Sequence, residues 1–350
     1  MTGSVRALAR GVWGSRSGRL GAVLSGLVVV AAVVSLVWTP YDPSRVDPAA
    51  SWAPVGTAHW FGADRLGRDL FSQVLVGART TLVVAVAATA IAAVVGVGLA
   101  LLATLPPRPV SEGVAHLVDV LLAFPVLLLA MVLAAVYGGS RWTAIVAIGV
   151  GAGIGLGRVT RGEVRRVLGA DYVLAARAAG AGTGRIVRRH VLANIAPTVW
   201  VQLSLILGLS VLTEAALSYL GFGTPPPTPS WGRMLAELQP YLTLRPLTLL
   251  WPGLAVVLTV LGFNLLGDGL REAGDPRLRE RPAADSDGAP HAAPAAPAPP
   301  AAPAPPAAPA PPAAHVPPAP AAPAASASAG LMAGAVPRAR WHRVRGEGRT

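Results

Sequence analysis

Residues 80–105 read TTLVVAVAATAIAAVVGVGLALLATL, twenty-six positions without a charged side chain. As a helix this run would rise about 39 Å at about 1.5 Å per residue, enough to cross a hydrocarbon layer about 30 Å thick. Working outward, five more apolar blocks appear: Leu20–Trp38, Val120–Tyr137 with Pro125 inside it, the glycine-rich Trp142–Gly157, Ile195–Leu220 with Glu214, and Leu247–Gly267 with Pro252. Buried helices of a large soluble protein could explain one such block. Six of them with so few charges between predict an all-α membrane protein with six transmembrane helices.

Composition agrees. Of the 350 residues 53% are apolar and only 13% charged, against about 25% charged in ordinary chains. Cysteine is absent, which removes disulfides, Cys-based zinc sites and thiol nucleophiles. Lysine is absent as well, so all 29 basic residues are arginine, and neither a Walker-A phosphate loop nor Schiff-base chemistry is available. The six histidines are scattered without ligand spacing, and no metal, cofactor or catalytic residue is assigned.

A formal charge of +12 would suit a nucleic-acid partner if the arginines formed one patch. Their distribution follows the spans instead. Residues 1–19 carry Arg6, Arg10, Arg16 and Arg19 without an acid, and 158–194 holds eight arginines against Glu163 and Asp171. Residues 39–79 balance four arginines with four aspartates, and 221–246 is nearly neutral. The excess of arginine on cytoplasmic loops then puts both termini and 158–194 inside, with 39–79 and 221–246 outside. Trp38, Trp142, Trp200 and Trp251 lie near span ends, as interfacial anchors do. The first block is expected to be a retained span, because no small-residue cleavage site follows it.

Five regions result: a cytoplasmic N-terminus (1–19), a first span (20–38), an extracytoplasmic segment (39–79), a core of five spans (80–270) with a cytoplasmic loop at 158–194, and a cytoplasmic tail (271–350). From about residue 282 the tail is low in complexity; 15 of the 34 residues from Pro290 to Pro323 are proline. Such a segment lacks both backbone donors and area to bury, and is expected to be extended and solvated. Arg338, Arg340, Arg343, Arg345 and Arg349 close the chain and could touch anionic lipid.

Within the loop, Asp171 stands where it can cap a helix, and Gly180 where a helix ends in the left-handed region. Tyr172, Ala175, Ala176 and Ala179 share one face at helical spacing, with Arg177 turned elsewhere. A second short helix is expected from Thr183 through Ile186 and Val191, ending before Pro197. Two short helices with nothing of their own to pack against suggest docking to a partner protein; lying on lipid headgroups is the alternative.

This segment resembles the cytoplasmic loop of ABC importer permeases, whose signature is Glu-Ala-Ala, a glycine soon after, and an apolar ending. Ala175, Ala176 and Gly180 match, as do Val191 and Leu192, while Leu174 and Ala193 depart where the family often has Glu and Pro. Three further stretches resemble the dipeptide, oligopeptide and nickel branch: Phe61–Phe71 through Arg79, Thr213–Gly221 with Pro227–Gly232, and Leu261–Arg271 with Asp275-Pro276. The four matches run in family order from about 59 to 279. The resemblance implies a type I importer fold, a second permease subunit, two ATPase subunits on the cytoplasmic loops, and an extracytoplasmic solute-binding protein. It implies transport of di/oligopeptides or a related small solute, with no bond chemistry on this chain and no nucleic-acid partner.

Glu214 is the one acid well inside an apolar span, a position that usually marks function. A proton relay would need a second titratable group at similar depth, so a structural or gating hydrogen bond near the outer end is expected. Gly149, Gly151, Gly153, Gly155 and Gly157 are read as sites of close helix contact, and Asn264 and Asp268 as packing or capping residues. An ion-coupled transporter and a membrane scaffold are the alternative readings.

Overall fold

In the computed structural model, residues 13–274 are described. Arg6, Arg10 and the Ala/Pro tail with its closing arginines lie outside them. Ten helices make up the described part: α1 Arg16–Val37, α2 Leu70–Leu102, α3 Arg108–Leu122, α4 Val126–Tyr137, α5 Arg141–Leu168, α6 Asp171–Ala178, α7 Thr183–Ile186, α8 Leu192–Tyr219, α9 Trp231–Leu238 and α10 Pro246–Gly274. No strand occurs among the described residues, only an isolated bridge between Ala63 and Asp69.

Five helical stretches are long and apolar enough to cross a membrane: α1, α2, α5, Thr183–Tyr219 and α10. The third apolar block differs from expectation. It is no single straight helix, because α3 and α4 meet at 85° across residues 123–125. Pro125 is the reason: it lacks an N–H, and its ring drives Phe124 out of the helical region. With 12 residues α4 rises only about 18 Å, less than the hydrocarbon thickness of about 30 Å.

Three other boundaries move. The second span starts at Leu70 rather than Thr80, because Asp69 caps it by accepting from Ser72 N at 2.8 Å. α5 runs on to Leu168, so Arg158–Arg166 continue the helix beyond its apolar part instead of opening a loop. Pro197 lies inside α8 and ends nothing. The chain is helical from Thr183, and Val187–Val191 form a wider π turn ahead of it. Asn194 Nδ2 donates to His190 O at 2.6 Å there, and Leu192 N donates to Val187 O in the wider ring of the π turn.

Small residues let these helices approach. α2 packs most extensively on α5. A Cβ on Gly149 would come within 2.6 Å of Ile91, and one on Gly153 within 2.8 Å of Val95. Gly157 faces Leu99, Gly151 faces Val126 on α4, and Gly155 faces open space. α1 lies along α10, where Gly18 meets Gly269 and Gly262 meets Ser25. Asn264 packs against Gly208, while Asp268 is exposed. Valine, alanine and isoleucine fill the space between α2, α4 and α5.

Candidate functional site

The arginine-rich end of the bundle carries α6 and α7. α6 starts one residue earlier than a capping aspartate would require: Ala170 holds the cap position and Asp171 is the first helical residue, with no side-chain cap bond. Its carboxylate instead sits in the first turn, where the helix dipole favours negative charge. The other end stops as the glycine promised. Gly180 has φ +80°, its N–H donates to Arg177 O at 2.9 Å, and Ala181 N donates to Ala176 O at 3.0 Å. These two bonds are the Schellman closure, which requires the left-handed residue.

Val173 is fully buried on α6 and Ala176, one turn on, is half-buried; Tyr172, Ala175, Arg177 and Ala179 are exposed. The small face is therefore split, with Ala176 at its inner edge. Val173 packs into a cluster with Ala100 of α2, Val164 and Val167 of α5, Ile186 of α7, and Val191 and Ile195. Val191 is fully buried, whereas Leu192 is 37% exposed and points away from this cluster. A push on α6 thus reaches three long helices through one close-packed contact, because such cores transmit displacement rather than absorb it. The Tyr172 ring also touches His190 in the π turn, at 5.9 Å between centroids. No local sequence signal pointed to Val173 or to that ring pair.

Glu214 lies near the opposite end and is 1% exposed. It accepts from Thr81 Oγ1 of α2 at 2.8 Å and from Ser218 Oγ at 2.7 Å. Ser218 Oγ in turn accepts from Thr224 N at 3.4 Å. The carboxyl thus ties α2, α8 and the following turn together by hydrogen bonds alone.

The same end is closed by residues 39–69 and α9. Trp231 is buried and donates from Nε1 to Val74 O at 3.0 Å. Arg68 donates from Nε to Asp64 Oδ2 at 2.7 Å and from Nη2 to Glu237 Oε2 at 2.5 Å, while Arg233 Nε reaches Glu237 Oε1 at 2.7 Å. Burial by itself would raise the Glu237 pKa, but the hydrogen bonds from Arg233 and Arg68 outweigh it and hold the carboxyl below its ordinary range. Among the described residues, no group of three or more His, Asp and Glu side chains is placed to hold a metal ion.

Comparison with known proteins bears on what this arrangement is for. The family described as "Binding-protein-dependent transport system inner membrane component" matches residues 92–280, more than half of the chain. The chain belongs to that family. It is the permease component of an ABC importer, a multi-pass protein of the inner membrane. The Di/tripeptide transport system permease protein DppC of Pseudomonas aeruginosa is 39% identical over 269 residues, which cover 75% of this chain and 89% of that one. The Oligopeptide transport system permease protein OppC of Bacillus subtilis is 35% identical over 261 residues, covering 75% and 86%. The Glutathione transport system permease protein GsiD of Pectobacterium atrosepticum is 35% identical over 268 residues, covering 74% and 87%. Among solved structures, a chain of the inward-facing MetNI methionine ABC transporter aligns with TM-score 0.49 and 18% identity, over 58% of this permease and 97% of that chain.

Proposed function

We propose that this permease carries di- or oligopeptides across the inner membrane, and that α6 and α7 receive the ATPase. The observation that carries the second part is Val173. Its buried side chain joins a mostly exposed eight-residue helix to the ends of α2, α5 and α8. A partner that moved α6 would move those helices with it. Ala175 and Ala179 leave its outer face low enough for close approach, and Arg177, Arg185, Arg188 and Arg189 surround it with positive charge.

In this reading the arginine-rich end faces the cytoplasm. The end closed by residues 39–69 and α9 faces outward and meets a solute-binding protein. A second permease subunit completes the pathway, and two ATPase subunits each engage one permease. Thr81–Glu214 holds α2 against α8 near the outer end. Peptides as cargo rest on the names of relatives 35–39% identical over about three quarters of the chain.

The test is uptake. Cells lacking this chain, supplied with labelled dipeptides and tripeptides, should lose ATP-dependent accumulation and regain it when the gene is restored. Unchanged peptide uptake alongside loss of another solute would replace the cargo while leaving the permease assignment in place.

A further inference from the structure

α3 has three faces where an ordinary surface helix has two. Ser111, Ala115 and Val118 are buried against the bundle. Glu112, His116 and Asp119, one step round the helix, are exposed and polar. Val110, Leu117 and Leu121 form the third face and are 52%, 54% and 37% exposed. At about 100° per residue the three sets lie about 100–150° apart.

Its level in the molecule is fixed twice. α3 begins three residues after the apolar run that ends at Leu105. Asp119 also pairs at 3.8 Å with Arg158, the first charged residue after the apolar part of α5. Both marks put α3 where hydrocarbon gives way to water. The 85° bend at Pro125 turns it across the direction of α4. The exposed apolar face continues through Phe124, 61% exposed, to Leu128 of α4.

We propose that α3 is an interfacial helix whose Val110–Leu117–Leu121 face rests in the bilayer surface, between headgroups and acyl chains. A helix lying in that plane against a protein meets protein, water and lipid on three sides, and its three faces match those surroundings in kind. A continuous apolar strip left in water would carry the full cost of exposed hydrocarbon. The helix would then set the depth at which α4 enters the membrane, since the bend at Pro125 follows it directly.

The chain has no cysteine, so single cysteines can report the environment cleanly. The full chain, purified with its native partners and placed in nanodiscs, is labelled with an environment-sensitive fluorophore at Leu117→Cys and, separately, at Glu112→Cys. Lipids brominated on the upper acyl chain should quench most of the emission at 117 and little at 112. Val110→Cys, on the same face, serves if the first variant fails to assemble, and should behave like 117. Equal quenching at 117 and 112 would overturn the proposal by sinking the whole helix into the chains. No quenching at 117 would overturn it too. In that case, quenching restored on stripping the partners would assign the face to a partner subunit, and its continued absence would leave the face in water.

Discussion

Thr81 on α2 and Glu214 on α8 stand 133 positions apart and are joined by a 2.8 Å hydrogen bond inside the helix bundle. Glu214 has a second hydroxyl partner, Ser218, on its own helix. Removing the carboxyl therefore orphans two buried hydroxyls at once. Glu214→Ala should destabilise the purified permease by about 2–5 kcal/mol, combining lost bonds with a cavity. Glu214→Gln, which still accepts one of these bonds, should lose much less. Thermal unfolding followed by size-exclusion chromatography would show this order. Adding Thr81→Val to Glu214→Ala should cost less than it does in the wild type, since the partner is already gone.

The glycines of α5 give a comparison within one helix. Gly149→Ala and Gly153→Ala put a methyl within 2.6 Å and 2.8 Å of α2 side chains, whereas Gly155→Ala meets nothing within 4 Å. The first two should cost about 1–3 kcal/mol each by overpacking, and the third should be neutral or slightly stabilising, because alanine favours helix. Melting temperatures of the three variants in one detergent decide the matter.

The amount of this that was legible in the sequence depended on how local the cause was. Apolar runs located the five long helices, while the run Val120–Tyr137 straddles a bend; Gly180 announced the end of α6 because only a local conformation was at stake. Asp69 with Ser72 was an available start signal for α2, masked by the later apolar run. Pro125 and Pro197 looked alike as helix breakers, yet one bends the chain and the other lies within α8. A π turn at Val187–Val191 precedes Pro197 within one helical stretch, whereas the chain leaves the helix at residues 123–124 just before Pro125. Arg68 with Glu237 and Val173 with Val164 are contacts made only by the tertiary fold, and nothing at either position foretold them.

Acid should loosen the closed end in a defined way. The Glu237 pKa is lowered in the folded permease, so its contribution is present above its unfolded value, near 4.5, and is lost as pH falls through the lower folded value. The wild type should therefore hold the full increment above about pH 4.5 and shed it progressively as pH falls from there to the lower folded value. Glu237→Gln should melt earlier at neutral pH and lack that step. Melting temperature against pH for both proteins checks the sign; a step lost above pH 4.5 would contradict it.

Orientation has its own test. A cysteine at Gly182 should react with an impermeant maleimide only from the cytoplasmic side, and one at Ala58 only from outside. Both positions are exposed and the chain has no other thiol. The opposite pattern would reverse the reading of the arginines.

Gly180→Val tests the turn separately from the docking face. A β-branched residue is poorly tolerated at φ +80°, so the Schellman closure should open while the exposed face of α6 keeps its side chains. Uptake should fall several-fold more than ATPase association in the same membranes. A variant that lost both equally would place Gly180 in the contact itself.

The central claim, that α6 carries ATPase movement into the spans, is met most directly by Ala175→Arg. Ala175 is exposed and touches no span, so insertion should be normal. In a close interface an unpaired arginine costs several kcal/mol, or about a hundredfold or more in affinity at about 1.4 kcal/mol per tenfold. The measurement is the amount of ATPase recovered with the purified permease, read beside peptide uptake by the same vesicles. Loss of both, with the permease present at its normal level, is the predicted result. Normal ATPase recovery with normal uptake would contradict it.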